Sequence, residues 1–201
     1  MSLPQLPPRR PADNPFASHR VEALPYRHRG ASFSDLERRL TALGGRAAVV
    51  GPKGSGKTTL TGELATRCNG NAVHVAIPAA CPHPWRVVRS QLPLPVSNGR
   101  AVFVDGAEQL GPVGWRRLLL ATRHATSLVV SLHLPGRLPT LAECRTDTAL
   151  LRELVRELAP DDAPLLEPHL DELHRRHRGN LRLCFRELYD LFAGRAQVVT
   201  R

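Results

Sequence analysis

The chain has 201 residues, 42% of them hydrophobic and 23% charged, which fits one globular domain with a small appendage and excludes a disordered or membrane protein. Its formal charge is +10, and a basic surface gains affinity for nucleic acid by releasing counterions from phosphates; only Lys53 and Lys57 are lysines, so the excess is arginine, which a GC-rich genome also encodes without any such role. No run of about 18 apolar residues exists for membrane insertion, since Leu118 to Leu134 is broken by Arg123 and His124.

Residues 1–30 read as an extended arm, because Pro4, Pro7, Pro8, Pro11 and Pro15 precede position 16 without apolar periodicity. The opening MSLPQLPPRR lacks the apolar centre of a signal peptide, so a cytoplasmic location is expected. Ser34-Asp35-Leu36-Glu37 has capping-box form, Leu36, Leu40 and Leu43 recur at helical spacing, and Gly44 stops the helix. The apolar run Ala47-Ala48-Val49-Val50 then predicts a parallel strand covered on both faces. Further apolar runs over 72–77, 101–104 and 128–131 alternate with helical stretches, the pattern of a parallel α/β sheet.

From Thr148 the spacing is helical. Leu150, Leu154 and Leu158 form one stripe that Pro160 ends, and a second helix lies within 165–178. Gly179 fits a helix stop and Asn180 an N-cap for a third helix with the apolar face Leu181, Cys184, Phe185, Leu188, Leu191 and Phe192. The expected organisation is an arm (1–30), a core (31–147), a helical lid (148–195) and a tail (196–201).

Gly51-Pro52-Lys53-Gly54-Ser55-Gly56-Lys57-Thr58 fits G-x-x-x-x-G-K-[ST] at every fixed position and stands between a predicted strand and a helix. The glycines let successive N–H groups turn inward around phosphates, Lys57 reaches the outer phosphates, and the Thr58 hydroxyl ligates magnesium, with Thr59 beside it at the positive end of the helix. The competing reading is a glycine-rich turn with an ordinary surface lysine. Val102-Phe103-Val104-Asp105 has the form of a Walker B strand, whose Asp105 would hold the magnesium.

Glu108 is the candidate to polarise the attacking water, or else it only opens a helix over 109–123, where an acid suits the helix dipole. Ser131 and His133, at the end of the 128–131 run, are within reach of a γ-phosphate or of that water. Arg182 opens the third lid helix, where an arginine bends back over phosphate or faces solvent with Arg175, Arg176, Arg178 and Arg186. Those five arginines are also the candidates for contact with DNA.

Together the arm, P-loop, Walker B strand, polar strand tip and Gly179-Asn180-Leu181-Arg182 resemble an AAA+ ATPase over roughly residues 14–193. The likeness is to small bacterial members that serve as transposition helpers or secretion ATPases, whose arm carries an element like Asn14-Pro15-Phe16. It implies a P-loop NTPase three-layer fold with a five-stranded parallel sheet of order 5-1-4-3-2, a short edge strand over 142–146, and a small C-terminal helical lid. It also implies ATP and Mg2+ as cofactors, a protein partner or homo-oligomer, Lys57 and Thr58 as the P-loop pair, Asp105 as the Walker B acid, Ser131 or His133 as sensor 1 and Arg182 as sensor 2. In two places the chain departs from the family: Gly106 stands where a glutamate normally follows the Walker B acid, and the arginine lent to a neighbouring subunit has only Arg137 and Arg145 as candidates.

The function expected is an ATP-binding and ATP-hydrolysing switch acting on a protein or on DNA. The alternatives are a nucleotide-dependent interaction module with little turnover and a small-molecule kinase. No arginine-rich lid between late strands supports the kinase, no L-S-G-G-Q an ABC subunit, and no N-K-x-D a GTPase. Cys68, Cys81, Cys144 and Cys184 are scattered, with no C-x-x-C pair for zinc or a redox dithiol.

Overall fold

A computed structural model describes residues 4, 7–93, 96 and 99–194, so the expected tail lies outside the described residues. The chain divides into two compact units, one of residues 28–52 and 56–144, the other of residues 1–27, 53–55 and 145–201.

The first unit is built on a sheet. Its opening helix α2 (Phe33–Ala42) starts two residues before the expected box: the Ser32 hydroxyl accepts from the Asp35 amide and the Asp35 carboxylate accepts from the Ser32 amide. Both Ser32/Asp35 and Ser34/Glu37 have the required spacing; the helix is capped by the first, which leaves Ser34 within it, and Glu37 pairs with Arg67. The Ser32 hydroxyl and amide, with Arg38 adding to them, hold the Asp35 carboxyl at about 2.

Strands β1 (Arg46–Val50), β2 (Ala72–Ala76), β3 (Ala101–Asp105), β4 (Ser127–Leu132) and β5 (Thr140–Glu143) form one parallel sheet of order β2-β3-β4-β1-β5. This is the expected 5-1-4-3-2 order. The edge strand β5 begins two residues earlier than the sequence suggests, pairing Thr140 with Ala48 and Glu143 with Val50 across a register shift. A short edge strand carries too few residues for alternation to fix its ends.

Because successive side chains point to opposite faces of a strand, each central strand presents apolar groups both ways. Ala48, Val50, Val102, Val104, Leu128 and Val130 form one cluster with Val88 of α4 (Pro84–Gln91) and Leu118 of α5 (Pro112–Ala121). Helix α3 (Lys57–Thr66), which buries Leu60 and Leu64, packs along β1 to β4 and is absent from that cluster, so it covers the opposite face. The expected helix over 109–123 is in fact two elements: Ala107–Gln109 form a 3-10 turn, Leu110 is extended, and α5 begins at Pro112. Proline lacks the N–H that a helix interior needs, and it belongs in the first turn.

The second unit is helical. Helix α6 (Thr148–Leu158) is capped by Asp147, α7 (Ala163–Arg176) follows, Gly179 turns the chain at φ +78°, and α8 (Leu181–Phe192) is capped by Asn180, whose side chain accepts from the Leu183 amide. Leu151, Val155, Leu166, Leu170, Leu188 and Phe192 fill its core. The arm is part of this core. Asn14 is fully buried, donating to the Tyr189 carbonyl and accepting from the Phe16 amide, and the Phe16 ring lies 6.0 Å from that of Phe185 and 5.5 Å from that of Phe192. A short helix α1 (Ser18–Glu22) follows it.

All four cysteines are free, and burial, with the Glu187 charge adding to it, pushes the Cys184 thiol up to about 12. Among the described residues no helix is long and apolar enough to cross a membrane.

Candidate functional site

The glycine-rich loop leaves β1 at Val50, and the Gly51 amide still bonds to the Leu132 carbonyl of β4 at 3.1 Å. Gly54 and Gly56 have φ of +73° and +87°, a left-handed conformation that residues with a Cβ rarely adopt, and Gly56 is the N-cap of α3. Lys57, the first residue of α3, is 8% exposed, and its ammonium donates to the carbonyls of Gly51 (2.7 Å) and Pro52 (2.8 Å). Its charge is thereby fixed at the loop beside the positive end of the helix. Thr58 is exposed and Thr59 half-buried in the same turn.

The loop tip, residues 53–55, groups with the helical unit. Lys53 is exposed and Ser55 buried. A Cβ at Gly54 would stand 2.0 Å from Asn180 Oδ1 and 3.2 Å from the Arg182 amide nitrogen. Glycine is therefore demanded twice, by φ and by space, and the N-terminus of α8 is set against the loop tip. Arg182 itself is exposed as the second residue of α8.

In the sheet unit, Asp105 at the end of β3 is engaged at both carboxylate oxygens. The Thr58 hydroxyl donates to Oδ2 at 2.7 Å and the Ser131 hydroxyl to Oδ1, while Ser131 also accepts from the Gly106 amide at 3.0 Å. An ionised carboxylate only accepts, so both hydroxyl protons point to Asp105, and the Thr58 oxygen keeps its lone pairs. Two hard oxygens so close, beside the left-handed Gly56 and a fixed ammonium, fit a phosphate-bound magnesium ion.

Gly106 has φ +74°, and a Cβ there would meet the Ile77 carbonyl at 2.4 Å. No glutamate fits this backbone, which is the physical reason for the departure at this position. The acid comes two residues later. Glu108 lies on the 3-10 turn, with Oε1 3.4 Å from His133 Nε2, and Oε2 is buried with no hydrogen-bond partner among the described residues. Burying a carboxylate oxygen without a partner is costly. The structure thus joins Thr58, Asp105 and Ser131 in one chain of bonds, pairs Glu108 with His133, and sets Arg182 in the helical unit. Sequence reading missed the approach of Asn180 to Gly54, which lie too far apart in the chain for any spacing to signal it.

No protein-family model and no curated protein matches the chain. Among solved structures it is similar to the RuvB Holliday junction branch migration motor of Thermotoga maritima, with a TM-score of 0.50 and 17% identity over 77% of this chain. This chain spans 60% of the length of that one. At that identity the likeness speaks to architecture. The chain has a P-loop NTPase-type α/β fold with a five-stranded parallel sheet. That fold accounts for the sheet order.

Proposed function

We propose that the chain binds ATP with magnesium, hydrolyses it, and uses the cycle as a switch acting on a DNA or protein partner. The observation that carries this reading is the Asp105 carboxylate, held by Thr58 on one oxygen and by Ser131 on the other beside the glycine-rich loop. Lys57 and the loop amides hold the phosphates, and Thr58 with Asp105 holds the cation. When bound, magnesium neutralises charge that builds on the transferring phosphoryl group. Glu108 accepts the proton of the attacking water at Oε2 while His133 keeps Oε1 in place, which is general-base catalysis by a positioned carboxylate. ATP is preferred to GTP because no N-K-x-D element is present.

The switch is supported by the loop tip. Residues 53–55 belong to the same unit as Asn180 and Arg182, and Gly54 lies against the N-terminus of α8. A ligand shifts such an equilibrium only by its difference in affinity for the two states, and Arg182 is the residue assigned to make that difference. DNA as a partner is supported by the charge and by the junction substrate of the solved motor. The surface best suited to it is on α4 and α5, where Arg86, Arg89, Arg116 and Arg117 are exposed. Between residues 64 and 142 the chain has eight arginines and only two acids, Asp105 and Glu108.

Steady-state phosphate release with ATP and magnesium tests the reading on wild type, Lys57→Ala and Glu108→Gln, alone and with double-stranded DNA. Turnover that needs both residues establishes the ATPase, and stimulation by DNA identifies the partner class. Tight binding without turnover assigns the chain to the alternative, a nucleotide-gated interaction module, which the glycine at position 106 favours.

A further inference from the structure

The turn that carries Glu108 is short and weakly built. A 3-10 turn has poorer hydrogen-bond geometry than an α-helix, and this one is flanked by left-handed Gly106 and extended Leu110. Its position must be fixed from outside, and the fixing groups come from one strand end. Ser131 accepts from the Gly106 amide, and His133, two residues further along, faces Glu108 Oε1. The third comes from the turn between β4 and β5: Arg137 Nη1 donates to the Ala107 carbonyl at 3.1 Å, and its guanidinium carbon lies 5.0 Å from the centre of the Trp115 ring on α5.

We propose that Arg137 is a positioning residue acting within its own chain, clamping the 3-10 turn against Trp115 so that Glu108 is held for proton transfer; this rests on the assignment of Glu108 as the proton acceptor. The clamp has two independent parts. The hydrogen bond to a carbonyl is charge-assisted and so stronger than a neutral one, and the guanidinium over the indole adds a cation–π attraction. Ser131 fixes the turn at the residue before Ala107 and Arg137 fixes Ala107 itself, so Glu108 is gripped from its N-terminal side through backbone and at its carboxylate by His133. A guanidinium committed in this way does not extend to a neighbouring subunit. Arg137 is thereby assigned a different role from the lent arginine that the family resemblance implies.

The test uses the full-length protein with ATP and magnesium. Arg137→Ala should lower kcat roughly 10- to 100-fold, the cost of a small misplacement of a catalytic group, with ATP affinity unchanged. Arg137→Lys, which keeps a donor and a cation, should recover part of the loss. Trp115→Leu, which leaves Arg137 intact but removes its support, should lower kcat in the same direction by a smaller factor. Mixing Arg137→Ala with Glu108→Gln protomers separates the clamp from a lent arginine. Activity no greater than that of the separate components supports the clamp, whereas recovery on mixing overturns it, because the Glu108→Gln protomer would be supplying Arg137 to its neighbour. An unchanged kcat in Arg137→Ala overturns it as well.

A readout without turnover keeps this inference distinct from the ATPase reading. In a Trp85→Phe background, which leaves Trp115 as the single tryptophan, Arg137→Ala should shift emission to the red and increase acrylamide quenching. Unchanged fluorescence overturns the clamp. Absence of phosphate release by wild type would instead remove the ATPase reading, and the fluorescence would still decide whether Arg137 covers Trp115.

Discussion

The two units use their arginines differently. In the helical unit Arg9 pairs with Asp162, Arg27 with Glu153 and Glu157, Arg152 with Asp171, Arg156 with Glu167, Arg175 with Glu172 and Arg176 with Glu187. In the sheet unit the exposed arginines of α4 and α5 have no ion pair among the described residues, and Arg117 lies over Trp85 with its guanidinium carbon 5.9 Å from the ring centre. A composition bias alone supplies arginines to both units. What differs is the supply of acids, so more of the positive charge is paired in the helical unit, while that of α4 and α5 faces outward. The exposed pairs add little stability, at about 0–1 kcal/mol each; their effect is to neutralise the surface around the lid. The candidate site residues are divided too, since Lys57, Thr58, Asp105, Glu108 and His133 all belong to the sheet unit and Arg182 to the helical one.

The largest effect should come from the phosphate site. Lys57→Ala should abolish ATP binding, measured by calorimetry, with a loss of at least about 100-fold in affinity, as removing a charge-assisted phosphate contact implies. Glu108→Gln should leave that affinity intact and lower kcat roughly 10²- to 10⁴-fold, the range for general-base catalysis. Retained micromolar binding by the first variant would refute the P-loop assignment, and unchanged turnover in the second would reduce Glu108 to a turn residue.

The helical unit should respond through stability. Phe16→Ala removes a ring packed on Phe185 and Phe192 and should cost about 3–5 kcal/mol, the usual range for a buried phenylalanine. Its melting transition would show this, and an unchanged transition would mean that the arm is dispensable to the helical core.

A smaller effect should distinguish the two arginine populations. Reversing Arg86, Arg89 and Arg116 to Glu together should weaken binding to duplex DNA and flatten its salt dependence, because each lost phosphate contact removes released counterions. The same reversal at Arg175 and Arg176, already paired with Glu172 and Glu187, should do less. If the second set weakens binding more, the lid is the DNA surface and the contrast between the units is reversed.

The smallest effect concerns the cap of α2. The Asp35 carboxyl is held at about 2, below its ordinary 3.8. A depressed carboxyl stabilises the fold above the unfolded value and loses that contribution as pH falls through the folded value. The cap should therefore weaken as pH falls from about 4 to about 2. Melting followed by circular dichroism should show a smaller pH dependence in Ser32→Ala, which removes the first of the groups lowering that carboxyl.

Much of this was legible in the chain. The P-loop was readable because its chemistry needs fixed residue types at fixed spacing, and it lay between a continuous apolar run and a helix. The central strands were readable because burial on both faces leaves apolar runs that no surface element needs. The lid helices followed from their stripes and from Asp147 and Asn180 as caps. The ends of β5, the choice of Ser32 over Ser34, and the break before Pro112 were less legible, because several starts satisfy the same local rule.

By itself the sequence determined where the glycine-rich loop and the acid ending β3 stand, and that a parallel sheet precedes a helical bundle, since backbone conformation and burial impose those patterns locally. Tertiary structure alone decided that Gly106 must be glycine under the Ile77 carbonyl, that Glu108 meets His133, that Asn180 stands against Gly54 and that Arg137 grips Ala107. The physical reason is distance along the chain. Each of these pairs joins segments 25 or more residues apart, where spacing carries no signal and only the packed backbone determines which groups meet.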